Sequence, residues 1–316
     1  MEVSIVIPVK NGVKWLRDSL PVFCKQQLTG EYEIILLDSE STDGLAQLVA
    51  AYPKVKVHTL PSGSFNHGDT RNEGVKIASG RYITLTVQDA KPVNENWLAE
   101  LLNGFTDEEV VAVCGQQIVP HHPDKNPVEW FRPLHAPNST RIQFTPDEYE
   151  QLTGAERLNV ARLDDVVCCY RRDALLQMPF RRTEFAEDAF WANDALKRGW
   201  ALVYNTNARI EHYHFCSEKY LHHRKMIEWY TQYLIFGLLP QPPVLTLKKI
   251  GSWVKIVFIS KKVIPTKKFF WLMHNLSVYF ILLKTYKEWQ WYYHHNNIEG
   301  IYQQYFSHIP IGSSVT

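Results

Sequence analysis

Residues 81–90 form the first of two stretches whose residue types suit catalysis. The run Tyr82-Ile83-Thr84-Leu85-Thr86-Val87 is β-branched and aromatic, and it leads to Asp89 and Ala90. Because such residues favour strands, we predict one buried strand over residues 81–90. Ligands of open α/β sheets bind beyond the carboxyl ends of strands, so Asp89 is expected at the edge of a crevice. A surface Asp89 that caps the next helix is the alternative.

Residues 185–200 form the second stretch. Their apolar positions recur at helical spacing before Gly199, which predicts an amphipathic helix. The pair Glu187-Asp188 falls in its first turn, where the helix dipole favours anions and keeps a carboxylate ionised. A general base must be such a carboxylate, although an acid pair that only caps the helix is the alternative. The apolar positions are Phe190, Trp191, Ala195 and Leu196.

Two groups of histidines are candidate metal ligands. His212 and His214 follow a predicted strand over residues 201–210, and alternate residues of an extended chain face the same side. They therefore form either one edge of a metal site or an ordinary surface pair. The second group lies in the proline-rich residues 120–137, where its spacing fits no standard metal site and a loop over the site is predicted. Its members are His121, His122 and His135.

The elements that must position these residues alternate between strand and helix. Apolar runs predict strands, each followed by a helix, and this pattern indicates an α/β fold with a parallel sheet and right-handed crossovers. A further helix is expected over residues 94–105. The predicted strands, besides the two named above, span residues 3–9, 32–38, 55–60, 110–119 and 165–172.

Polar residues after the early strands indicate a nucleotide site. Asp38 ends the second strand, where a carboxylate can accept from a base N–H or a ribose hydroxyl. The planar guanidinium of Arg71 can face a diphosphate. The alternative is that Asp43 is only a helix-terminal charge and Arg71 a surface ion-pair partner. The sequence has no Gly-x-Gly-x-x-Gly after strand one and no Gly-Lys-Ser/Thr loop.

Composition excludes some classes of protein. The 316 residues carry a formal net charge of +1, which argues against a nucleic-acid partner. The five cysteines are odd in number and include no Cys-x-x-Cys, which predicts a reducing cytosol. Met1-Glu2 leads directly into an apolar strand, so no secretory signal is expected.

The C-terminal third has a different composition. Residues 229–287 contain no Asp or Glu, and lysines alternate with aromatic residues. Segments of this kind lie on anionic bilayers, and a helical packing or dimerisation module is the alternative. The longest apolar run, residues 269–283, is interrupted by polar residues and too short to span a membrane. The lysines are Lys248, Lys249, Lys255, Lys261, Lys262, Lys267 and Lys268.

Five motifs, spread in order over roughly residues 1–220, together resemble family 2 glycosyltransferases of the GT-A fold. Among these they look most like bacterial rhamnosyltransferases that build surface polysaccharides. The Phe-Asn-His-Gly and Gln-Asp-Ala forms indicate rhamnose. The motifs are Ile5-Val6-Ile7-Pro8-Val9-Lys10-Asn11, Asp38-Ser39-Glu40-Ser41-Thr42-Asp43-Gly44, Phe65-Asn66-His67-Gly68-Asp69-Thr70-Arg71-Asn72, Thr86-Val87-Gln88-Asp89-Ala90 and Phe185-Ala186-Glu187-Asp188.

The resemblance implies roles for these residues. Asp188, beside Glu187, would be the catalytic base. The family's Asp-x-Asp metal motif falls on Val87-Gln88-Asp89, so Asp89 with His212 or His214 would hold Mg²⁺ or Mn²⁺. The residues implied to bind the nucleotide and diphosphate are Pro8, Val9, Asn11, Asp38, Ser39, Asp43, Asn66, His67, Arg71, Asn72 and Gln88.

The resemblance also implies a fold and an activity. We expect a mostly parallel GT-A-type sheet with helices on both faces over residues 1–220, and a mainly helical C-terminal extension over residues 221–316. The implied reaction is inverting transfer of L-rhamnose from dTDP-rhamnose to a hydroxyl of a lipid-linked saccharide. We expect it on the inner face of the cytoplasmic membrane, where the C-terminal region would make peripheral contact; a homo-oligomer is compatible with this.

Two rival functions remain open at this stage. A sugar-1-phosphate nucleotidyltransferase has a related sheet but wants a Gly-rich, Arg-containing turn after strand one, where this chain has Pro8-Val9-Lys10-Asn11. A non-catalytic nucleotide-binding scaffold is favoured by Val87 at the first metal position. Release of free nucleotide from a sugar donor and acceptor would separate the transferase from both.

Overall fold

The computed structural model describes residues 1–131 and 136–306. Contacts divide the chain into two units. The first comprises the chain up to Ile118 and the later stretch that ends at His212, and the second comprises the stretch that begins at Val119 and the chain from Tyr213. Of the predicted proline-rich loop, Pro133 and His135 lie outside the described residues.

The first unit is built on a mixed sheet, which has nine strands within the described residues. Its order is β3-β2-β1-β4-β8-β6-β9-β5, with β7 beside β9. Neighbours pair in parallel from β3 to β4 and between β6 and β9, whereas β8 runs antiparallel to both β4 and β6. The strands are β1 (Val3–Val9), β2 (Tyr32–Asp38), β3 (Val55–Thr59), β4 (Tyr82–Leu85), β5 (Lys91–Pro92), β6 (Val110–Ile118), β7 (Ser139–Ile142), β8 (Cys168–Arg171) and β9 (Ala201–Glu211).

Helices connect these strands, and the predicted α/β fold is confirmed. The helix predicted from residue 185 is present: Trp191, Ala195 and Leu196 are buried along one side, and Phe190 is half-buried. Burial of such a stripe against the sheet stabilises a helix more than its propensity does. The helices are α1 (Val13–Phe23), α2 (Leu45–Val49), α3 (His67–Ile77), α4 (Trp97–Leu102), α5 (Pro146–Gln151), α6 (Gly154–Val160), α7 (Arg172–Gln177) and α8 (Glu187–Lys197).

The single strand predicted over residues 81–90 is wrong in length. Strand β4 ends at Leu85, where its parallel register with β1 also ends. The hydroxyl of Thr86 then donates to the carbonyl of Val166 at 2.8 Å, and the chain turns. Asp89 therefore lies in a turn beyond the carboxyl end of β4.

The second unit is helical and has a core of its own. Val119 and Trp130 pack with Val257, Val263 and Trp271, so part of the predicted proline-rich loop belongs to this core. No helix in the described part of the chain is long and apolar enough to cross a bilayer. The elements are a 3-10 turn (Glu129–Phe131), α9 (Glu218–Phe236), α10 (Leu247–Ile259), α11 (Pro265–His294), α12 (Ile298–Ile301) and a π turn (Tyr302–Phe306).

Candidate active site

The loops that follow β1 and β2 are bound to each other. Ser41 Oγ accepts from the Asn11 N–H at 2.9 Å, and Asn11 Oδ1 accepts from the Thr42 N–H at 2.9 Å. Asp38 Oδ1 accepts from the Ser41 N–H at 3.0 Å. Asn11 adopts a left-handed conformation, φ 49°, which Asn tolerates better than most residues. The predicted nucleotide residues Asn11 and Asp38 thus lie together at the carboxyl ends of adjacent strands.

The turn after β4 joins this group of loops. Gln88 Oε1 accepts from the Lys10 N–H at 2.8 Å, and the Lys10 ammonium donates to the Ser39 carbonyl. The Ser39 N–H in turn donates to the Val9 carbonyl at 2.9 Å. Half-buried Pro8 pairs with Leu37 of β2. Predicted residues from three separate motifs therefore meet at one edge of the sheet.

Asp43 stabilises the start of a helix. Its Oδ2 accepts from the Val13 N–H, the first residue of α1, at 2.8 Å. Asp43 therefore acts as a charge at a helix terminus, as the alternative interpretation predicted. The helix is α1 and not α2, which follows Asp43 in sequence.

Asn66, Gly68 and Asn72 hold the segment that precedes the acid pair. Asn66 Oδ1 accepts from the Thr183 N–H at 3.2 Å as well as from the Asp69 N–H in its own helix cap. Asn72 makes two hydrogen bonds to the backbone of Phe180, at 2.8 and 3.0 Å. A Cβ on Gly68 would lie only 1.9 Å from the Arg181 carbonyl oxygen. Residues 180–184 are thus fixed against the N-terminal half of α3.

Arg71 is buried between two acids. Its Nε lies 2.7 Å from Asp165 Oδ2, an ion pair outside hydrogen-bond angles, and one terminal nitrogen lies 2.6 Å from Glu187 Oε1. Burial opposes the charge, but the carboxylates of Glu187, Asp165 and Asp188 raise the pKa of Arg71. This is a buried ion pair and not the surface pair weighed above. Half-buried His67 also approaches this group, with Nδ1 at 4.0 Å from Glu187 Oε1.

Asp188 sits beside this cluster on the first turn of α8. Its Oδ2 accepts from the Asp165 N–H at 3.2 Å and its Oδ1 from the Ala189 N–H at 2.7 Å. Ala186, just before the helix, adopts a left-handed conformation with φ 59°. Such strain in a residue other than glycine is frequent at functional sites.

The electrostatics of Asp188 differ from the sequence-based expectation. Burial, together with the negative charges of Glu187, Asp165 and Asp164, raises its pKa well above the ordinary value, and Arg71 opposes this only in part. The helix dipole therefore does not control its ionisation. A half-buried carboxylate with a raised pKa is a stronger base once it has lost its proton.

Asp89 and His212 form a close pair at the predicted metal position. His212 Nε2 lies 3.6 Å from Asp89 Oδ2, and both side chains are largely buried. One carboxylate oxygen and one imidazole nitrogen are ligand types that first-row divalent ions accept. His214 is exposed and belongs to the second unit, so its role as a ligand stays a prediction.

Sequence reasoning missed three residues of this region: Gln117, Asp164 and Asp165. Asp165 binds Arg71 and also accepts from the Tyr170 hydroxyl at 2.6 Å. Gln117 lies between His212 and Asp164. The available signal was the acid pair Asp164-Asp165 at the start of the predicted strand over residues 165–172. Acids are rarely buried unless they are paired, so this position indicated a partner elsewhere in the chain.

The chain is similar to known glycosyltransferases in sequence. The model of Glycosyl transferase family 2 matches residues 4–177. O-antigen chain rhamnosyltransferase WbaN of Salmonella anatum is 31% identical over 217 residues, which cover 67% of this chain and 66% of that protein. O-antigen chain rhamnosyltransferase RfbN of Salmonella typhimurium is 28% identical over 221 residues, which cover 68% and 67%. The match thus spans about two thirds of these relatives' lengths.

Solved structures show a similar fold. Residues 1–349 of S. aureus TarS in complex with UDP-GlcNAc superpose with a TM-score of 0.54 at 14% identity, covering 92% of each chain. The mannosyltransferase PcManGT of Pyrobaculum calidifontis, in complex with GDP-Man and Mn²⁺, gives 0.55 at 15% identity, covering 91% of this chain and 73% of that one. At such identities the likeness concerns the fold alone. The family model covers more than half of the chain, and the chain therefore belongs to glycosyl transferase family 2.

Proposed function

We propose that the protein transfers a sugar, L-rhamnose from dTDP-rhamnose, to a hydroxyl of a lipid-linked saccharide with inversion. One observation supports this most: the loops after β1, β2 and β4 bind one another, and Asp89 in the last of these loops lies near a series of hydrogen-bonded residues that ends beside Asp188. Lys10 donates to Gln88, and the adjacent Asp89 lies 3.6 Å from His212. His212 contacts Gln117, Gln117 donates to Asp164, and the N–H of the adjacent Asp165 donates to Asp188.

In this proposal Asp188 is the base. It takes the proton from the acceptor hydroxyl as that oxygen forms a bond to the anomeric carbon. The bond from the anomeric carbon to the diphosphate oxygen breaks, and the nucleoside diphosphate leaves with the electron pair. Attack from the face opposite the leaving group inverts the anomeric centre. Arg71 holds Asp165 and Glu187 near Asp188 by its two ion pairs. The contact of Arg71 with the diphosphate stays a prediction.

We further propose that Asp89 and His212 hold a divalent cation, with His214 two residues further along the chain as a third candidate ligand. Such an ion, when bound, would offset the negative charge of the leaving diphosphate. Mg²⁺ favours all-oxygen ligands, so the imidazole makes Mn²⁺ the better probe. With Val87 at the first position of the family's metal motif, His212 would supply a ligand where an Asp is usual.

The donor proposal rests on likeness and not on contacts. The two Salmonella relatives are named as O-antigen chain rhamnosyltransferases. The Phe-Asn-His-Gly and Gln-Asp-Ala motifs of this chain resemble those of bacterial rhamnosyltransferases. A binding screen of dTDP-rhamnose against UDP- and GDP-sugars tests the donor independently of catalysis.

The reaction itself is tested by nucleotide release. Asp188→Asn should lower release from dTDP-rhamnose plus acceptor by about 10²- to 10⁴-fold, the range typical of a lost general base. Donor affinity should change little, because the substitution keeps the size of the side chain. Asp194→Asn is the matched control, because Asp194 lies on the same helix but pairs with Arg181 at 2.5 Å.

Two results would contradict the proposal. Turnover close to wild type in Asp188→Asn would remove the base assignment. Donor binding without any release by the wild-type protein would instead favour the non-catalytic scaffold.

We also propose that the second unit binds an anionic membrane surface. Leu247, Val254 and Phe258 share one side of α10 by helical spacing and are exposed, whereas Trp253 and Val257 face the core. Exposed lysines accompany this stripe at Lys248 and Lys255 and between α10 and α11 at Lys261 and Lys262. An exposed apolar stripe bordered by lysines is typical of helices that lie on a bilayer. A lipid-linked acceptor would be present in the same membrane.

A further inference from the structure

The side chain of Gln117 lies between His212 and Asp164. His212 Nδ1 is 2.7 Å from Gln117 Oε1, and Gln117 Nε2 donates to Asp164 Oδ2. Gln117 lies just after a register shift between β6 and β9: Cys114 pairs with Tyr204 but Gln116 pairs with Arg209, so β9 carries the additional residues. Irregularities of this kind re-aim side chains near active sites.

The chemistry of the three groups fixes where the hydrogens are. An ionised carboxylate only accepts, so the amide nitrogen of Gln117 must face Asp164. The amide oxygen of Gln117 therefore faces His212, and it too can only accept. The hydrogen between them must then belong to His212 Nδ1. In the neutral imidazole this leaves the lone pair on Nε2, the atom that faces Asp89 Oδ2 at 3.6 Å.

Nε2 is thus the ring nitrogen on the same side as Asp89 Oδ2, and a divalent cation near both atoms would accept an electron pair from each. Metal-binding histidines commonly donate their other N–H to a carboxylate or carbonyl, which fixes the tautomer and the ring orientation. Here the carboxylate acts through one intervening amide.

We infer that Gln117 and Asp164 are positioning residues that hold His212 in the tautomer able to bind a divalent cation through Nε2. This inference rests on the proposed metal role of Asp89 and His212. His212 would thus be oriented by two residues that lie outside the recognised motifs. Neither residue touches substrate or the reacting atoms in this account; each influences the cation through His212.

The experiment measures Mn²⁺ binding to the purified full chain by the loss of the free-ion EPR signal, with no substrate present. Gln117→Met keeps the shape of the side chain but cannot accept strongly from His212, and Asp164→Asn no longer dictates the amide orientation. Each should weaken Mn²⁺ affinity by about 10- to 100-fold. Gln143→Met is the matched control, because the Gln143 amide donates to the Gly199 carbonyl at 2.8 Å, in a different network.

A second readout is the tautomer itself, seen by NMR of ¹⁵N-histidine-labelled protein without metal. The His212 signals are assigned by their absence in His212→Gln. The wild-type ring should carry its hydrogen on Nδ1, and Gln117→Met should move population to Nε2–H. A general loss of structure would instead alter the spectra of many histidines at once.

Three results would overturn the inference. Mn²⁺ affinities of Gln117→Met and Asp164→Asn within twofold of wild type would do so, as would an Nε2–H tautomer in the wild-type protein. Failure of the wild-type protein to bind Mn²⁺ would remove both the inference and the metal site. It would leave the role of Asp188 untouched, since nucleotide release tests that role separately.

Discussion

At the scale of single residues, the active region concentrates negative charge around one guanidinium. Asp165 and Glu187 bind Arg71 directly, whereas Asp188 contacts the backbone of Asp165. Asp164 adds a fourth carboxylate close enough to raise the pKa of Asp188. Arg71 offsets burial and these charges only in part, so the pKa of Asp188, the acid proposed as the base, is raised well above its ordinary value.

The charge of Asp164 should therefore set the pH at which the enzyme becomes active. Asp188 must lose its proton to act, so activity rises with pH through its raised pKa. Asp164→Asn removes one negative neighbour and should lower that pKa, which moves the acid limb of the kcat profile to lower pH by about one unit. The profile is measured at saturating Mn²⁺, so that any loss of metal affinity does not contribute.

Asp147→Asn serves as the control for this prediction. Asp147 is an exposed carboxylate on the first turn of α5, and its removal changes the net charge equally. Its acid limb should coincide with that of the wild type. An unmoved limb in Asp164→Asn, or an equal shift in both variants, would show that Asp164 does not tune the base.

At the scale of elements, α3 fixes the chain that leads to the acid pair. Gly68 lies so close to the Arg181 carbonyl that a methyl group there must displace backbone. Gly68→Ala should therefore lower the free energy of unfolding by about 1–3 kcal/mol. It should also lower kcat at least tenfold, because it moves the residues that precede Asp188. Thermal unfolding and nucleotide release check the two effects.

Gly251→Ala separates this contact from the general effect of replacing a glycine in a helix. Gly251 lies inside α10, and no atom of residues 1–131 or 136–306 lies within 4 Å of a Cβ placed there, apart from its chain neighbours and its own helix backbone. That variant should be as stable as wild type or more stable, by up to about 1 kcal/mol. Equal behaviour of the two variants would mean that the contact between α3 and residues 180–184 is unimportant.

The hydrophobic pattern along the sequence predicted the strands and helices whose burial depends only on neighbouring residues. Buried runs gave β1 and β2, and helical spacing gave α8, because burial of neighbours in sequence determines both. The prediction was wrong in the length of β4, because a contact to Val166, 80 residues away, ends that strand. The position of β8 between β4 and β6 depends in the same way on distant pairing.

The same distinction applies to the candidate site: residues with a local signal were predicted, and residues defined by distant contacts were missed. Asp89 and Asp188 were found because each occupies a recognisable end of a strand or helix. Asp165 was missed because its importance comes from Arg71, 94 positions earlier in the sequence, and no local periodicity links the two. Gln117 was missed for a similar reason, since its contact with His212, 95 positions later in the sequence, depends on the pairing of β6 with β9.

At the scale of the whole molecule, the chain combines two units of different composition. The first carries the predicted catalytic acids and the nucleotide loops. The second includes residues 229–287, which lack acidic side chains altogether. Leu247, Ile259 and Phe269 are 88%, 67% and 67% exposed in this unit, more than a surface that meets only water would favour. A bilayer rich in anionic lipid suits both the charge and the apolar side chains.

The charge of the second unit should therefore control binding to vesicles. Each basic residue near an anionic surface contributes about 1 kcal/mol, so Lys261→Glu/Lys262→Glu should lower partitioning onto phosphatidylserine-containing vesicles at least about tenfold. Binding should weaken with salt and be slight on purely zwitterionic vesicles. Lys25→Glu/Lys54→Glu is the matched control, since it makes the same charge change at exposed lysines of the first unit and should bind like wild type.

Phe269→Ser should weaken binding to the vesicles with little salt dependence, because it removes an apolar side chain that inserts into the bilayer and leaves the charge unchanged. Equal binding by the two double variants would contradict the membrane role, and concentration-dependent dimers without vesicle binding would instead assign this surface to self-association.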